Sequence, residues 1–269
     1  MEDTRTGQAA FFPTEGPADT AVGLGFRFGD KGTHTSRTLM LAELAMALEA
    51  IPDGSERHAY ANAIIEDNCL AKATEATRRL SNQRLGELYG LDVQVTLFRV
   101  LRKLWAMDEA GRPLLALLAA LARDPLLRAT AEPILGLSPG SEMQRDGLRA
   151  NLREAVGDRL NDSTLDKVVR NCASSWTQAG HLEGRTFKRR RKVQATPASV
   201  AFAVFLARSV GFVGEELLQS AWTWCLDCGE TESRELILEA KRLGLIDLRI
   251  ASDVFEVGFG RLDPALGRE

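Results

Sequence analysis

The chain has 269 residues, of which 45% are hydrophobic and 26% charged, and its formal net charge is −3. These ordinary globular values exclude bulk disorder. The acidic total excludes a uniformly basic protein, so any contact with nucleic acid needs a local cationic patch. Four scattered cysteines, Cys69, Cys172, Cys225 and Cys228, are typical of a reducing compartment without structural disulfides.

The first residues predict an arm followed by helices. Residues 1–22 are rich in Gly, Pro, Thr and acids, and this composition indicates a mobile arm. The first ten residues lack the apolar core that a signal peptide would have. The glycine-rich stretch 23–39 fits neither a dinucleotide-binding nor a Walker motif, so we interpret it as a turn-rich entry to a helix at 36–50. The most apolar windows, 114–122 and 200–210, are too short to span a bilayer, and a cytoplasmic protein is expected.

A pair of helices in the N-terminal region has the order of a helix-turn-helix. Ser55 and Thr74 can each cap a helix, and the second helix carries a polar, basic outer side. Many surface helices carry arginines, so an ordinary solvated face is the competing interpretation. The candidate nucleic-acid contacts on this helix are Arg78, Arg79 and Arg84.

The middle of the chain predicts a helical bundle and then a boundary. An amphipathic helix at 95–106 precedes a helix at 114–123 that is apolar on all sides, which marks the centre of a bundle. Asp124-Pro125 opens a helix to about Leu135. The sequence LSPGS at 137–141 indicates a domain boundary, and a helix from Ser141 to about Val156 is expected to support the helix after it.

The most informative stretch is 161–197. Helical spacing of apolar residues predicts a helix from about Asp162 to Gly180, and the following residues 182–193 carry six Lys or Arg against one Glu. A helix with a polar, basic face followed by a basic hairpin is the order of the recognition helix and wing of a winged helix-turn-helix, although a solvated basic loop is the plainer alternative. The candidate DNA contacts are Lys167, Arg170, Asn171, Ser174, Ser175 and Gln178 on the helix, and Arg185, Lys188, Arg189, Arg190, Arg191 and Lys192 in the wing.

The C-terminal region repeats this order without the charge. A helix at 214–224 and one from Thr231 or Ser233 to Leu243 are followed by alternating apolar residues at 245–259, which predict a β-hairpin with a turn at 251–253. This second hairpin is acidic and apolar, so it is expected to pack against the protein.

We find no sequence motif for catalysis or metal binding. Cys225 and Cys228 form a C-x-x-C motif, but no strand precedes them, so we interpret them as packing thiols. His181 follows a helix end and is expected to interact with the last carbonyl groups. No Ser-His-Asp set is evident, and neither an enzyme nor a cofactor is expected.

Three segments within residues 28–197 share a further pattern: FGDKGTHTSRTL, DNCLAKATEATRRLSNQRLGELYGL and STLDKVVRNCASSWTQAGHL. Together they resemble proteins of the BrxA-like family of BREX phage-defence systems. The resemblance implies a small, non-enzymatic helical protein that binds double-stranded DNA through winged-helix elements and serves a multi-gene defence system. His181 departs from the pattern because the family prefers an apolar residue there.

The sequence therefore predicts a mainly α protein: an arm (1–22), an N-terminal helical domain (23–137), a winged helix-turn-helix (138–199) and a C-terminal helical segment with a β-hairpin (200–269). We expect duplex DNA to be the partner, and membranes not to be. The alternatives are a protein-interaction adaptor within a defence complex and an RNA-binding helical protein. Neutralising Arg189, Arg190 and Arg191 together is expected to weaken DNA binding.

Overall fold

The computed structural model describes residue 12 and residues 19–251 and 254–267. The chain is mainly helical, with two small antiparallel hairpins among these residues. The helices are α1 (Asp19–Leu24), α2 (Leu41–Ala50), α3 (Arg57–Ile65), α4 (Glu75–Tyr89), α5 (Thr96–Met107), α6 (Arg112–Arg123), α7 (Pro125–Arg128), α8 (Ala131–Leu135), α9 (Arg145–Val156), α10 (Asp162–Gln178), α11 (Pro197–Ser209), α12 (Ala221–Trp224) and α13 (Glu230–Arg242). The strands are β1 (Leu182–Glu183), β2 (Arg189–Arg190), β3 (Asp247–Ala251) and β4 (Val254–Gly258).

Two apolar helices form the centre of the molecule. Every residue of α6 from Leu114 onward is buried, as predicted for a helix that is apolar on all sides, and α11 is buried from Ala198 to Ala207. These two helices pack against each other, α5 adds its apolar stripe, and α12 and α13 cover the other side of α11. The predicted C-terminal segment therefore shares one hydrophobic core with the predicted N-terminal domain.

Several predicted helix starts are confirmed by their capping contacts. Thr74 Oγ1 accepts the amide of Thr77 at the start of α4, and Asp124 Oδ1 accepts the amides of Leu126 and Leu127 at the start of α7. Pro113 and Pro125 lie in the first turns of α6 and α7, where their missing N–H costs nothing.

Other boundaries differ from the sequence predictions. The helix expected at 36–50 begins only at Leu41, because residues 33–35 form a 3-10 turn and the stretch after it packs elsewhere. The helix expected from Ser141 begins at Arg145, since residues 141–143 are extended beside β2. The helix expected at 214–224 is a 3-10 turn (Gly214–Leu218) followed by the short α12.

The prediction of an N-terminal arm at 1–22 is wrong for its last four residues. Residues 19–22 belong to α1, and Ala21 and Phe12 are buried in the core. The other residues predicted as the arm lie outside the part of the chain that the structure describes. The predicted C-terminal hairpin is confirmed, with Leu248 paired to Val257, although two residues of its turn, 252 and 253, are also outside the described part. No helix in the described ranges is long and apolar enough to cross a membrane.

Candidate nucleic-acid interface

The region that carries the predicted DNA contacts is built from α9, α10 and the hairpin β1–β2. Asn161 Oδ1 accepts the amide of Thr164 at 2.9 Å and starts α10, whose end is followed by Gly180 at φ 92°. Leu182 then pairs with Arg190, and Glu183 pairs with Arg189. A short 3-10 turn (Gly157–Arg159) connects α9 to α10.

The hairpin is fixed to the chain segment that precedes α9. The backbone of Glu142 forms an antiparallel β-bridge with the backbone of Arg189, on the outer side of β2. The amide of Met143 donates to the carbonyl of Lys188 at 2.8 Å, and the amide of Arg190 donates to the carbonyl of Ser141 at 2.9 Å. Residues 141–143 thus add a third extended segment to the two-stranded hairpin and hold it beside α9.

The exposed side of α10 carries two free cations and two neutralised carboxylates. Lys167 and Arg170 are exposed and form no salt bridge with any residue that the structure describes. Asp162 pairs with Arg149 and Arg153 of α9, each at 2.7 Å, and Asp166 pairs with Arg149 at 3.1 Å. The arginines of α9 therefore offset the acidic residues that would otherwise repel a phosphate from α10.

Much of the predicted polar face of α10 does not face solvent, which corrects the prediction for three residues. The segment 33–41, which we call the docked segment, lies on this face. Asn171 Nδ2 donates to the carbonyl of His34 at 2.8 Å, and Gln178 accepts the amide of Leu41 at 3.1 Å. The hydroxyl of Ser175 is fully buried and accepts the amide of Leu39 at 2.8 Å. Ser174 stays half-buried.

The docked segment also creates a Ser-His-Asp arrangement that the sequence did not reveal. His34 Nδ1 lies 2.8 Å from Asp124 Oδ2, and His34 Nε2 lies 2.8 Å from Ser175 Oγ. Burial opposes ionisation of Asp124, yet the attraction and hydrogen bond of His34, with the amides of Leu127 and Thr33, lower its pKa.

This arrangement has the connectivity of a catalytic triad but not its accessibility. His34, Asp124 and Ser175 have at most 1% of their surface exposed. Ser175 Oγ also donates to the carbonyl of Asn171 at 2.9 Å, so its hydroxyl is already engaged. The three side chains join the docked segment to α7 and α10, and a substrate could reach the serine only if that segment moved.

The basic run in the hairpin divides into free, paired and buried side chains. Arg185 and Arg189 are exposed and form no salt bridge with the described residues. Lys188 is half-buried and donates to Thr177 Oγ1 at 2.7 Å, and burial together with nearby Arg145 lowers its pKa. The two partly neutralised members are Arg191, 3.4 Å from Glu183, and Lys192, 3.6 Å from Glu232.

Arg190 has to be removed from the predicted DNA contacts. Only 3% of this residue is exposed, and its guanidinium forms a two-pronged ion pair with Asp227 that includes an Nη1–Oδ2 contact of 2.9 Å. The same carboxylate accepts the amide of Val193 at 2.9 Å. Arg190 therefore joins β2 to the loop after α12.

The three arginines predicted on α4 are also used within the chain. Arg78 donates to the carbonyls of Ile65 and Glu66 and so caps the C-terminal end of α3. Arg79 pairs with Glu75 one turn earlier, and Arg84 pairs with Glu87 at 2.7 Å. Arg79 and Arg84 are ion-paired and Arg78 is held by backbone carbonyl groups, which leaves α4 as a weaker candidate surface than α10.

Sequence reasoning missed the arginines of α9. Arg145 is exposed, lies close enough to Lys188 to affect its pKa, and lines a groove of about 460 Å³ between α9 and α10 together with Arg149 and Arg170. The signal is present in the sequence, because Arg145, Arg149 and Arg153 follow one another at four-residue intervals, which places them on one side of a helix.

The charge of the chain is unevenly distributed. Residues 141–193 contain 12 Lys or Arg against 7 Asp or Glu, a net charge of +5, while the whole chain carries −3. Five exposed cations of this region form no salt bridge with described residues, and we call them the basic surface: Arg145, Lys167, Arg170, Arg185 and Arg189. These cations lie on α9, on α10 and in the hairpin, which are neighbouring elements, so a long polyanion can contact several of them at once.

Burial also affects the remaining candidate groups. It raises the pKa of both Cys225 and Cys228, which favours the protonated, less nucleophilic form of these thiols. The backbone amide of His181 donates to the carbonyl of Trp176 at the end of α10, at 2.9 Å, but its imidazole bonds elsewhere than to the last carbonyl groups of that helix, where it was expected. Its ring is buried against Trp176, its Nε2 lies 2.8 Å from the carbonyl of Cys225, and burial lowers its pKa to about 4, so it is neutral. Within the described ranges, no His, Cys, Asp or Glu cluster could hold a metal ion.

Comparison with models of known protein families gives no match to this chain, and no curated protein matches it either.

Proposed function

We propose that this protein binds duplex DNA through the basic surface, without catalysing a reaction on it. The observation that carries the proposal is that α9, α10 and the hairpin supply five exposed cations without a salt bridge to described residues, and that Arg145 of α9 lines a groove with Arg170 and lies close to Lys188 of the hairpin. Such an arrangement favours a polyanion that is contacted locally, because the rest of the molecule repels it.

The order of elements supports a winged helix-turn-helix as the DNA-binding unit. An extended segment at 141–143, α9, a short turn, α10 and the hairpin β1–β2 follow one another as expected for that unit. In this assignment Lys167 and Arg170 of α10 approach the major groove, while Arg185 and Arg189 of the hairpin contact phosphates. Asn171, Ser175 and Gln178 hold the docked segment in place of reading bases.

The buried ion pair of Arg190 makes a variant without that residue's substitution the better test of the proposal. The triple substitution of Arg189, Arg190 and Arg191 would leave Asp227 without its buried partner, so lost binding could reflect unfolding. The double variant Arg170→Gln with Arg189→Gln removes two exposed cations from two elements. A matched control, Arg242→Gln with Arg261→Gln, removes the same charge from exposed arginines of the C-terminal region.

Fluorescence anisotropy with a labelled duplex, repeated at several salt concentrations, gives the affinity and its salt dependence. Each lost phosphate contact reduces the slope of log K against log salt by about 0.9, and of the two substituted arginines only Arg189 is assigned to a phosphate. The interface variant should therefore have a slope smaller by roughly 1, and the loss of Arg170 from the major groove should weaken its affinity further. The control should keep the slope of the unaltered protein. Equal slopes for all three proteins would show that the basic surface is not the interface, and equal competition by duplex RNA would favour the RNA-binding alternative.

We also propose that the protein serves a BREX-like phage-defence system, and this proposal depends on the sequence resemblance alone. Loss of phage resistance is expected when the gene is deleted from a host that carries the complete system. Restoration by the control variant but not by the interface variant would connect defence to DNA binding. Full restoration by both variants would instead favour the role of a protein-interaction adaptor.

A further inference from the structure

An aromatic ring stands at the tip of the basic hairpin, and the proposed function has not used it. Phe187 is 70% exposed, the most of any large apolar side chain in the described ranges. A single exposed apolar residue is common on protein surfaces and needs no explanation by itself. The surroundings of Phe187 decide whether its exposure has a function.

The tip that carries Phe187 is tightly constrained. Gly184 adopts φ 101°, and a Cβ at this position would overlap the carbonyl oxygen of Phe187, so the loop closes as tightly as a glycine permits. Lys188 Nζ donates to the carbonyl of Gly184 at 3.2 Å and to Thr177 Oγ1 of α10 at 2.7 Å. The loop is therefore tied across its base and to α10, and the ring is exposed although its backbone is fixed.

The hairpin itself is anchored at the opposite end. Arg190 joins β2 to Asp227 through its buried ion pair, and the extended segment at 141–143 pairs with the outer side of β2. Because the backbone around Phe187 is fixed, binding has to order only the two side-chain torsions of the ring, which favours a preorganised contact.

The charges around Phe187 indicate the chemistry of its partner. Arg185 and Arg189, each two residues away, are exposed and have no salt bridge among described residues. An apolar protein surface would bury these two guanidinium groups without anionic partners, which is costly, so this setting does not favour an apolar partner. A partner that offers anionic groups on both sides of an apolar slot fits better. Duplex DNA provides this where phosphates flank a base-pair step.

We propose that Phe187 is a wedge that inserts between base pairs from the minor groove next to the major groove occupied by α10, and so bends the duplex. This inference depends on the proposed DNA binding and adds the mode of contact. Arg185 and Arg189 would neutralise the phosphates that the tip passes, and partial unstacking would be concentrated at flexible pyrimidine–purine steps.

The experiment measures bending and affinity separately. A duplex carries donor and acceptor dyes at its ends and a TA step at its centre, and energy transfer is recorded as the unaltered protein, Phe187→Ala, Phe187→Trp and Val213→Ala are added. Val213 is a matched control, because it is an exposed apolar residue on a loop that does not belong to the hairpin. Circular dichroism melting confirms that each variant is folded, as expected for changes at exposed positions.

The unaltered protein, Phe187→Trp and Val213→Ala are expected to bring the dyes closer. Phe187→Ala should lose this change and bind about tenfold more weakly, with an unaltered salt slope because no charge is removed. If Phe187→Ala bends the duplex as the unaltered protein does, the wedge is overturned while DNA binding stands. The same titration with a labelled single strand separates the wedge from simple stacking: if Phe187→Ala weakens only the binding of the single strand, base stacking on single strands replaces the wedge. If the unaltered protein does not bind the duplex, the proposed function fails and the wedge fails with it.

Discussion

Individual polar residues in this protein have roles that their type does not reveal. Lys167 and Asn171 lie one turn apart on α10, yet one is exposed and the other holds the docked segment. Arg189 and Arg190 are adjacent in β2, and the alternation of a strand sends one to solvent and the other to Asp227. The sequence identified the basic hairpin, but contacts with other parts of the chain decided which of the hairpin's charged side chains remain free.

Arg190→Ala tests the structural role of the buried ion pair. The substitution leaves the Asp227 carboxylate without its main partner and should lower the free energy of unfolding by about 3 kcal/mol. Arg189→Ala, one residue away and exposed, should change it by less than about 0.5 kcal/mol. Urea denaturation followed by far-UV circular dichroism measures both. Equal effects of the two substitutions would contradict the buried role of Arg190.

His181 should make stability depend on pH in the acidic range. Its pKa is about 4 in the folded protein against 6.5 in the unfolded chain, so only the unfolded chain binds a proton at this site between these values. This contribution to stability is complete above pH 6.5 and declines as the pH falls to about 4. The loss amounts to roughly 3 kcal/mol.

The variant His181→Gln provides the comparison, because it cannot be protonated and its amide can still donate to the carbonyl of Cys225. Urea denaturation of both proteins at pH 4.0, 5.5 and 7.0 gives the difference in pH dependence. The unaltered protein should lose more stability than the variant on acidification. Parallel curves would mean that another group is responsible for the acid sensitivity.

At the scale of elements, Thr74 and Asp124 cap the helices that the sequence predicted, whereas the helices predicted from Ser55 and Ser141 begin after Glu56 and Gln144. Thr74 and Asn161 begin α4 and α10 with their own side chains, which is a local interaction. The predicted helix at 36–50 lost its first turn because residues 33–41 instead bond to α10 and Asp124. That competition joins residues more than 80 positions apart, so no local pattern could predict it.

Gly32→Ala tests how tightly the docked segment is held. A Cβ at Gly32 would overlap Asp124 Oδ1, whereas the backbone there, at φ −139°, suits any residue, so the cost comes from packing alone. We expect a loss of about 2 kcal/mol in the free energy of unfolding. Gly23→Ala, within α1 and with nothing near its Cβ, should be neutral or stabilising by about 0.5 kcal/mol. A neutral result for Gly32→Ala would show that the docked segment is loosely attached.

For the whole molecule, the predicted divisions at 138 and 199 cross a continuous core. Helix α11 comes after the hairpin in sequence, but its buried side chains pack against α5 and α6 of the predicted N-terminal domain. We therefore expect the predicted domains to unfold together. The division of the chain stays a prediction that unfolding can test.

Urea unfolding monitored by two signals provides this test. Far-UV circular dichroism reports all helices, while fluorescence reports the four tryptophans: buried Trp105 on α5, Trp176 on α10 and Trp222 on α12, and exposed Trp224 at the end of α12. Because these helices belong to one core, both signals should change over the same urea range. Two separated transitions would mean that residues 138–199 or 200–269 fold as independent units.

The sequence by itself determined the mainly helical class, the apolar centre at α6, the caps at Thr74 and Asp124 and the existence of a basic hairpin after α10. Each depends on neighbours within about one helical turn or one hairpin, where spacing and residue type carry the information. Only the tertiary structure decided which polar side chains remain free. It buried Ser175 against His34, paired Arg190 with Asp227 and brought Arg145 to the hairpin. These are contacts between distant parts of the chain, and a polar side chain left without a partner in the interior would be costly, so the fold supplies partners that no local pattern specifies.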